Sequence, residues 1–313
     1  MLNMNEIAFL FPGQGSQFVG MAADLAAAFP AAAAILEQAN DILGVNFSGL
    51  MRDGPQDDLD DTHNTQPALY IAGVATLRAL ESHLGRALVP LGAAGHSLGE
   101  LTALTAAGAL PFEAGLRLVR QRAWLMKEAG AAHPGAMAAL LGPTVAEAEA
   151  LCREAAAQTG KPLVVANDNC PGQVVISGDR DAIDCALALA KQYGSKRAIK
   201  LAVSVAAHSP LMQSAGEAFS AALDAVQFAV PRYPVVSNTT GGPLRTVAEI
   251  HRALGLQITS SVRWTESVRT LRALGAQTFL ELGPRDVLTN LLKRIDKDAI
   301  GVTVNSADAV KAL

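Results

Sequence analysis

Leu91-Gly92-Ala93-Ala94-Gly95-His96-Ser97-Leu98-Gly99-Glu100 holds a Gly-x-Ser-x-Gly pentapeptide between two apolar runs. The approach contains Ala87, Leu88, Val89 and Leu91 followed by small residues, and the exit from Leu101 to Ala107 is apolar and alanine-rich. That pattern predicts a strand, a sharp turn and a helix. A serine on a strained strand-to-helix turn projects its hydroxyl clear of the backbone, and glycines two residues to either side let the chain pack closely there. Ser97 is therefore the candidate nucleophile. The amide of Leu98, which follows it at the helix N-terminus, is the candidate donor to a developing oxyanion. A glycine-flanked serine that only caps a helix is the alternative reading of the same residues.

The composition bounds what this turn serves. With 313 residues, half of them hydrophobic and 17% charged, the chain can build a soluble globular fold with a substantial core. The net charge of −4, with no basic stripe carrying aromatics, argues against a nucleic-acid binder. The run from Ile7 to Phe11 follows a segment without a charged leader and stops at Pro12, so no secretory signal is expected. Ala22 to Ala34 carries Asp24 and Pro30 and is too short to span a bilayer, so no membrane attachment is expected and the cytoplasm is the default location. Cys152, Cys170 and Cys185 have no metal-ligand spacing and suit a reducing compartment as small, mostly buried residues. No metal is expected.

Ile7 to Phe11 predicts a buried first strand, and Gly13-Gln14-Gly15-Ser16-Gln17 follows it. The third glycine of a dinucleotide fingerprint would fall at Phe18, so that motif fails. A tight loop here instead offers a backbone N–H, at Gln14, as a second oxyanion donor; an ordinary glycine-rich turn fits the spacing equally well. Residues 22–50 read as helix, 53–61 as a solvated acidic loop, and Thr65-Gln66-Pro67 opens a helix to about His83. After the break at Gly108 to Pro111, helical periodicity resumes over 112–129. Leu118, Val119, Leu125 and Met126 form its apolar stripe, and Arg122 lies within that stripe, whereas Arg117, Arg120 and Lys127 fall on solvated faces. A guanidinium facing the core needs an anion, from a protein carboxylate or from a substrate.

From Gly135 the pattern becomes a compact unit. Ala136 to Leu141 reads as strand, Thr144-Val145-Ala146-Glu147 as a capping box opening a helix to about Thr159, and Pro162 to Ala166 and Gln173 to Ser177 as strands. A helix capped by Asp179 or Asp181 runs to Tyr193, and Ala198 to Val205 is a last strand. The order β-α-β-β-α-β predicts a ferredoxin-like subdomain over 135–204, inserted into a larger α/β domain of residues 1–134 and 205–313. Where the chain returns, Ser209 as cap and Pro210 at the first helical position put His208 in a loop at a helix start, the best placed base among six histidines. Beyond it come strands at 233–237, 278–282 and 300–304 separated by helices, with no repeats, which completes a doubly wound α/β class.

Taken in order, Phe11-Pro12-Gly13-Gln14-Gly15-Ser16-Gln17, Thr65-Gln66-Pro67-Ala68-Leu69, Gly95-His96-Ser97-Leu98-Gly99-Glu100, Arg122 within Arg120-Gln121-Arg122-Ala123-Trp124-Leu125-Met126, Pro171-Gly172-Gln173-Val174-Val175, Ala207-His208-Ser209 and Glu281-Leu282-Gly283-Pro284 resemble the malonyl-CoA:acyl carrier protein transacylase (acyltransferase) family. The motifs run across nearly the whole chain, and as a set they are highly specific. The resemblance implies a large α/β-hydrolase-like domain with a parallel sheet plus the small ferredoxin-like subdomain. It implies Ser97 as nucleophile, His208 as its base, the Gln14 and Leu98 amides as oxyanion hole, Arg122 on the free carboxylate of the acyl group, and the Gln257 carbonyl orienting His208. Gln66 and His96 match positions lining the family's site.

The activity so implied is transfer of malonyl from malonyl-CoA to the phosphopantetheine thiol of an acyl carrier protein, through a malonyl-serine intermediate, for fatty acid or polyketide synthesis. Coenzyme A thioester and carrier are substrates, no cofactor is implied, and the protein is expected to be a monomer. Arg285-Asp286 stand where the family commonly has a small residue and then Lys or Asn. Because carriers are usually acidic, exposed cations at Lys191, Lys196, Arg197 and Lys200 are the expected contact. The rival is a serine thioesterase or esterase of α/β-hydrolase type, which needs a late histidine, His251, and gives Arg122 no purpose. A docking subunit that keeps the fold without catalysis is the other alternative.

Overall fold

The computed structural model describes residues 3–203 and 205–313. β1 (Ile7–Phe11) is buried at every position, as its apolar sequence requires. The expected helix over 22–50 is three helices, α1 (Ala23–Ala28), α2 (Pro30–Leu43) and α3 (Phe47–Asp53). Pro30 starts α2 at its first position, and Gly44, with φ of 68°, ends it in the left-handed region. The acidic stretch is not wholly a loop: Gln56–Asp60 forms the short helix α4 around the buried Leu59. α5 (Thr62–Leu84) begins earlier than the sequence suggests, because Asp61 caps it by accepting from the His63 amide, and it carries Pro67 in its second turn.

The strand before the serine is β2 (Gly92–Gly95), made of the small residues rather than of the apolar approach, where Val89 is exposed. Close packing explains this. A Cβ on Gly95 would overlap the Gly99 carbonyl, and one on Gly99 would overlap the Phe11 carbonyl, so α6 (Gly99–Ala106) sits directly on β1 and β2. α7 (Phe112–Ala132) buries Leu118, Val119, Arg122 and Met126 together.

β3 (Gly135–Leu141), α8 (Val145–Thr159), β4 (Leu163–Cys170), β5 (Gln173–Asp179), α9 (Arg180–Leu189) and β6 (Arg197–Lys200) follow. The Thr144–Glu147 capping box is present, and Asp179, not Asp181, caps α9. The four strands make an antiparallel sheet of order β4-β5-β3-β6, the ferredoxin-like arrangement. The last strand is shorter than expected, ending at Lys200; Ser204, within the expected span, lies outside the described residues.

α10 (Gln213–Leu223), β7 (Val235–Val236), β8 (Pro243–Leu244), α11 (Val247–Gln257), α12 (Trp264–Ala273), β9 (Thr278–Leu282), α13 (Val287–Ile295), β10 (Ile300–Val304) and α14 (Ala307–Lys311) complete the chain. The large sheet has the order β10-β9-β1-β2-β7-β8, parallel except for the β7–β8 edge hairpin. β1 and β2 are central and end side by side, which places the loops after both, with Gln14 and Ser97, at one carboxyl edge of the sheet. The antiparallel sheet is tied to this frame through β4: the Asp168 amide donates to the Val262 carbonyl at 2.9 Å, and the Val262 amide to the Ala166 carbonyl at 2.8 Å. No described helix is long and apolar enough to cross a membrane.

Candidate active site

Ser97 has a φ of 51°, a left-handed conformation costly for a residue with a side chain. Neighbours hold it there. Its amide donates to Asn238 Oδ1 at 2.7 Å, Asn238 Nδ2 donates to the Gly95 carbonyl at 2.7 Å, and the Ser97 carbonyl accepts from Gln257 Nε2 at 3.1 Å. The hydroxyl so presented lies 2.8 Å from His208 Nε2 and accepts from Arg122 Nη2 at 3.2 Å. One oxygen thus sits between an imidazole and a guanidinium that are 111 and 25 residues away in sequence.

His208 is buried and also left-handed, with φ of 60°. Ser209 caps the short 3-10 helix that starts at Pro210, as the sequence indicates. The His208 amide donates to the Ile258 carbonyl, while ring Nδ1 meets the carbonyls of Gln257 at 2.9 Å and Ser260 at 3.0 Å. Two carbonyls can only accept, so Nδ1 carries the proton and Nε2 faces Ser97 as an acceptor. Burial first, and the nearby Arg122 charge second, push the imidazole down to about 3, with the two carbonyls opposing them. His208 is therefore neutral at physiological pH.

Arg122 is 1% exposed and forms no ion pair among the described residues. Neutral oxygens hold it instead. Nη1 donates to Gln66 Oε1 at 2.6 Å and Nη2 to Gln257 Oε1 at 3.0 Å, while Nε has no partner. Burial lowers its affinity for the proton to about 10, partly offset by the charge of Glu100. Of the two anions that the sequence allowed for this arginine, a direct protein carboxylate is ruled out by this geometry.

A cavity of about 270 Å³ opens over the serine. Gln14, Gln66, His96, Ser97, Leu98, Arg122 and His208 all line it, so it gathers seven of the eight residues singled out from the sequence. Gln257, the eighth, stands behind Ser97, Arg122 and His208 and touches all three. Neither the Gln14 nor the Leu98 amide donates to an acceptor among the described residues, so both are available to a ligand in this cavity. His96 lies beside the serine, its Nε2 2.9 Å from Asn169 Oδ1 and its ring 5.5 Å from that of Trp264. Among the described residues no His, Cys, Asp or Glu cluster could hold a metal. The antiparallel sheet supplies the opposite wall through Met137, Ala139, Asn167, Asn169, Gln173 and Val175.

Two functional neighbours escape a reading by motif. Asn238 lies in a turn-rich loop whose sequence looks like any solvated connection, yet it is fully buried and holds the Ser97 amide. Glu100 closes the serine motif and is completely buried, with Oε2 accepting from Gln257 Nε2 at 2.6 Å and from the Asn238 amide at 3.2 Å. A charged residue inside an otherwise apolar helix was the available signal. Of the α7 cations expected on solvated faces, Arg120 differs, since it is half-buried and bonds the His63 carbonyl and Asn64 Oδ1 rather than only water. His251, the histidine a hydrolase order would use, stacks edge-on against Phe228 and lies 4.0 Å from Asp224.

Known proteins agree with this arrangement over its whole length. The model of the acyl transferase domain matches residues 8–309. A malonyl CoA-acyl carrier protein transacylase of Bacillus subtilis is 41% identical over 308 residues, covering 98% of this chain and 96% of its own length. Its namesake in Escherichia coli K12 is 40% identical, with 99% of both chains covered. Among solved structures, the transacylase of the same name from Coxiella burnetii superposes with a TM-score of 0.94 at 38% identity, covering 98% of this chain and 96% of that one. A malonyl-transacylase solved in complex with a type II polyketide synthase acyl-carrier protein gives 0.92 at 40% identity, with 97% of each chain covered. A serine elbow, its imidazole and an arginine without an ion pair among the described residues share one cavity, and this arrangement on a fold matched from end to end places the chain in the acyl transferase family.

Proposed function

We propose that this protein transfers a malonyl group from malonyl-CoA to the phosphopantetheine thiol of an acyl carrier protein, by a ping-pong route through an ester on Ser97. The observation that carries it is the position of Ser97 Oγ, 2.8 Å from His208 Nε2 and 3.2 Å from Arg122 Nη2. A base and a carboxylate receptor flank one nucleophile, as an acyl group with a free carboxylate requires. The family relatives named malonyl transacylases, and the one bound to a carrier protein, support the same substrates and partner.

In the first half-reaction the distal carboxylate of the malonyl group pairs with Arg122, whose guanidinium is short of acceptors. That pairing offsets the cation that depresses His208, and so makes the imidazole more basic when substrate is bound. His208 Nε2 takes the hydroxyl proton, Oγ attacks the thioester carbonyl, and the Gln14 and Leu98 amides hold the oxyanion. The tetrahedral centre collapses, the C–S bond breaks, and His208 returns its proton to the sulfur so that coenzyme A leaves as a thiol. In the second half the carrier thiol gives its proton to His208 and attacks the serine ester. The carbonyl re-forms as the C–Oγ bond to Ser97 breaks, and Ser97 Oγ recovers its proton from the imidazole. Gln257 and Ser260 carbonyls steady the imidazolium formed in both halves. Apolar walls, Met126, Met137, Val175 and Val205 among them, leave water few polar sites near the ester.

The enzyme needs no resident cofactor and acts as a cytoplasmic monomer. Its unit over 135–204 is a subdomain inserted into a catalytic domain of 1–134 and 205–313. The direct test is intact-protein mass after brief mixing with malonyl-CoA or acetyl-CoA. One malonyl adduct on the native chain, none on Ser97→Ala and little from acetyl-CoA is the expected result. Steady release of coenzyme A without an adduct would instead support a thioesterase.

A further inference from the structure

The acyl transfer chemistry does not use Glu100, yet its surroundings are unusual for a charged residue. It is fully buried on α6, one turn beyond the serine, with no cation bonded to it. Burial pushes its carboxyl up to about 7, against the opposing pull of Gln257, the Asn238 amide and Arg122. A buried carboxyl without a paired cation is expensive to keep, which calls for a role beyond filling space.

Its contacts define that role. Gln257 Nε2 donates to Glu100 Oε2 at 2.6 Å and to the Ser97 carbonyl at 3.1 Å, while Gln257 Oε1 accepts from Arg122 Nη2 at 3.0 Å. A side-chain amide can turn over, and the two orientations differ sharply here. With its oxygen toward Arg122 every contact pairs a donor with an acceptor; turned over, its NH2 would face the guanidinium and its oxygen would face two other oxygens. Glu100 Oε2, at 2.6 Å against 3.1 Å for the Ser97 carbonyl, supplies the closer of the two acceptors that hold the first orientation. The same carboxyl oxygen also receives the Asn238 amide, and Asn238 in turn receives the Ser97 amide. One buried atom is thus linked to both the arginine and the nucleophile.

We propose that Glu100 is a positioning residue for the acyl-carboxylate receptor: as a hydrogen-bond acceptor it sets the Gln257 side-chain amide with its oxygen toward Arg122, and so aims the guanidinium for an acyl group bearing a carboxylate. It acts through Gln257 and touches neither substrate nor reacting atoms. The inference rests on Arg122 receiving the malonyl carboxylate.

The test separates acceptor from charge. Glu100→Met removes both at similar volume, whereas Glu100→Gln keeps an oxygen where Oε2 accepts its two bonds. The measurements are the rates of Ser97 acylation by malonyl-CoA, by acetyl-CoA and by a neutral aryl ester. Loss of the acceptor in Glu100→Met is expected to cut kcat/KM for malonyl-CoA by about 10- to 100-fold, mostly through KM. The malonyl-to-acetyl preference should collapse by a similar factor, while the aryl ester, which has no carboxylate, should lose far less. Glu100→Gln should restore the preference to within about threefold of native.

Equal losses with all three acyl donors would overturn the proposal in favour of a purely structural carboxylate, and so would a native preference in Glu100→Met. A Glu100→Gln variant as impaired as Glu100→Met would also overturn it, because charge and not acceptance would then matter. If Glu100→Met does not fold, Glu100→Leu removes the same acceptor with a different shape and must show the same selective loss. Arg122→Ala tells the two levels apart. If it keeps the malonyl preference, the carboxylate assignment itself fails; if it loses the preference while Glu100→Met keeps it, only the role of Glu100 fails.

Discussion

His208 Nε2 lies 2.8 Å from Ser97 Oγ, and both residues hold left-handed backbone angles, with φ of 60° and 51°. Neither is a glycine, so each conformation is strained, and buried hydrogen bonds on both sides maintain it. The Ser97 amide and carbonyl are held by Asn238 and Gln257, the His208 amide and ring by Ile258, Gln257 and Ser260. The pair is an outcome of the surrounding fold, and several measurements follow from that dependence.

The elbow should not tolerate a methyl group at Gly99. A Cβ there meets the Phe11 backbone, which cannot move without shifting the central strand. Gly99→Ala is expected to cost at least about 2 kcal/mol and to lower Tm by about 3 °C or more. Gly160→Ala, where nothing lies within 4 Å of the added atom, is a control for a left-handed glycine away from the site. Thermal unfolding of both variants by circular dichroism decides the point; equal stability of Gly99→Ala and native would contradict the close-packed elbow.

Arg122→Ala should convert the enzyme from a malonyl to an indifferent acyl acceptor. A charge-assisted bidentate pair to a buried guanidinium is worth about 3 kcal/mol, or about 100-fold in kcat/KM for malonyl-CoA. Acetyl-CoA, which has nothing to place on the guanidinium, should be affected much less. Steady-state rates for the two thioesters give the ratio, and a variant that lost both equally would show a structural role only.

The acid side of the pH profile carries information about His208. Its ring is pushed from 6.5 down to about 3, by burial and then by Arg122, and the base must be neutral to accept the serine proton. Acylation by a neutral aryl ester should therefore stay level between about pH 8 and about pH 5. Replacing Arg122 by Gln removes a cation that disfavours imidazolium, so the affinity for the proton rises and the acid limb moves up toward 6.5. Stability has its own sign: the unfolded chain binds the His208 proton more tightly, so this contribution is present above pH 6.5 and is lost as pH falls toward about 3. A limb that did not move in Arg122→Gln would remove the coupling between the two residues.

The carrier-facing surface should divide along β6. Lys191, Lys196, Arg197 and Lys200 are all exposed, but Lys200 pairs with Asp184 at 2.7 Å. Lys196 sits at the other end of the strand, its amide on the Leu141 carbonyl, beside the turn where Arg294 holds Gln173 and Pro171. Gln173, near that end, and Leu201, next to Lys200, both line the cavity over Ser97, so both ends of the strand adjoin it and the ion pair of Lys200 is what sets the two ends apart. Lys196→Glu with Arg197→Glu is expected to raise the carrier KM about tenfold and to leave acylation by malonyl-CoA unchanged, with a smaller effect from Lys200→Glu. Separate assays of the two half-reactions decide it, and equal losses in both would count against the surface.

What could be read along the chain was whatever depends on neighbours in sequence. The elbow, the Thr144–Glu147 capping box, the Ser209 and Pro210 start beside His208 and the six elements of the β-α-β-β-α-β unit all rest on local rules of capping, glycine freedom and periodicity. Arg122 on an apolar stripe signalled a buried cation in the same way. Boundaries were blurred where a local signal was weak: the breaks at Phe29 and Gly44 in an alanine-rich stretch, and the strand made of Gly92 to Gly95, whose residues have little β-propensity. Only the tertiary structure decided what answers Arg122. No local pattern says that Gln66, Gln257 and Ser97, from three separate elements, will meet its guanidinium, or that Glu100 will stand one amide away instead of pairing with it. Periodicity along one helix reports which face is buried but not what it is buried against, because the partners of a buried charge come from elements brought together only when the sheet and its covering helices assemble.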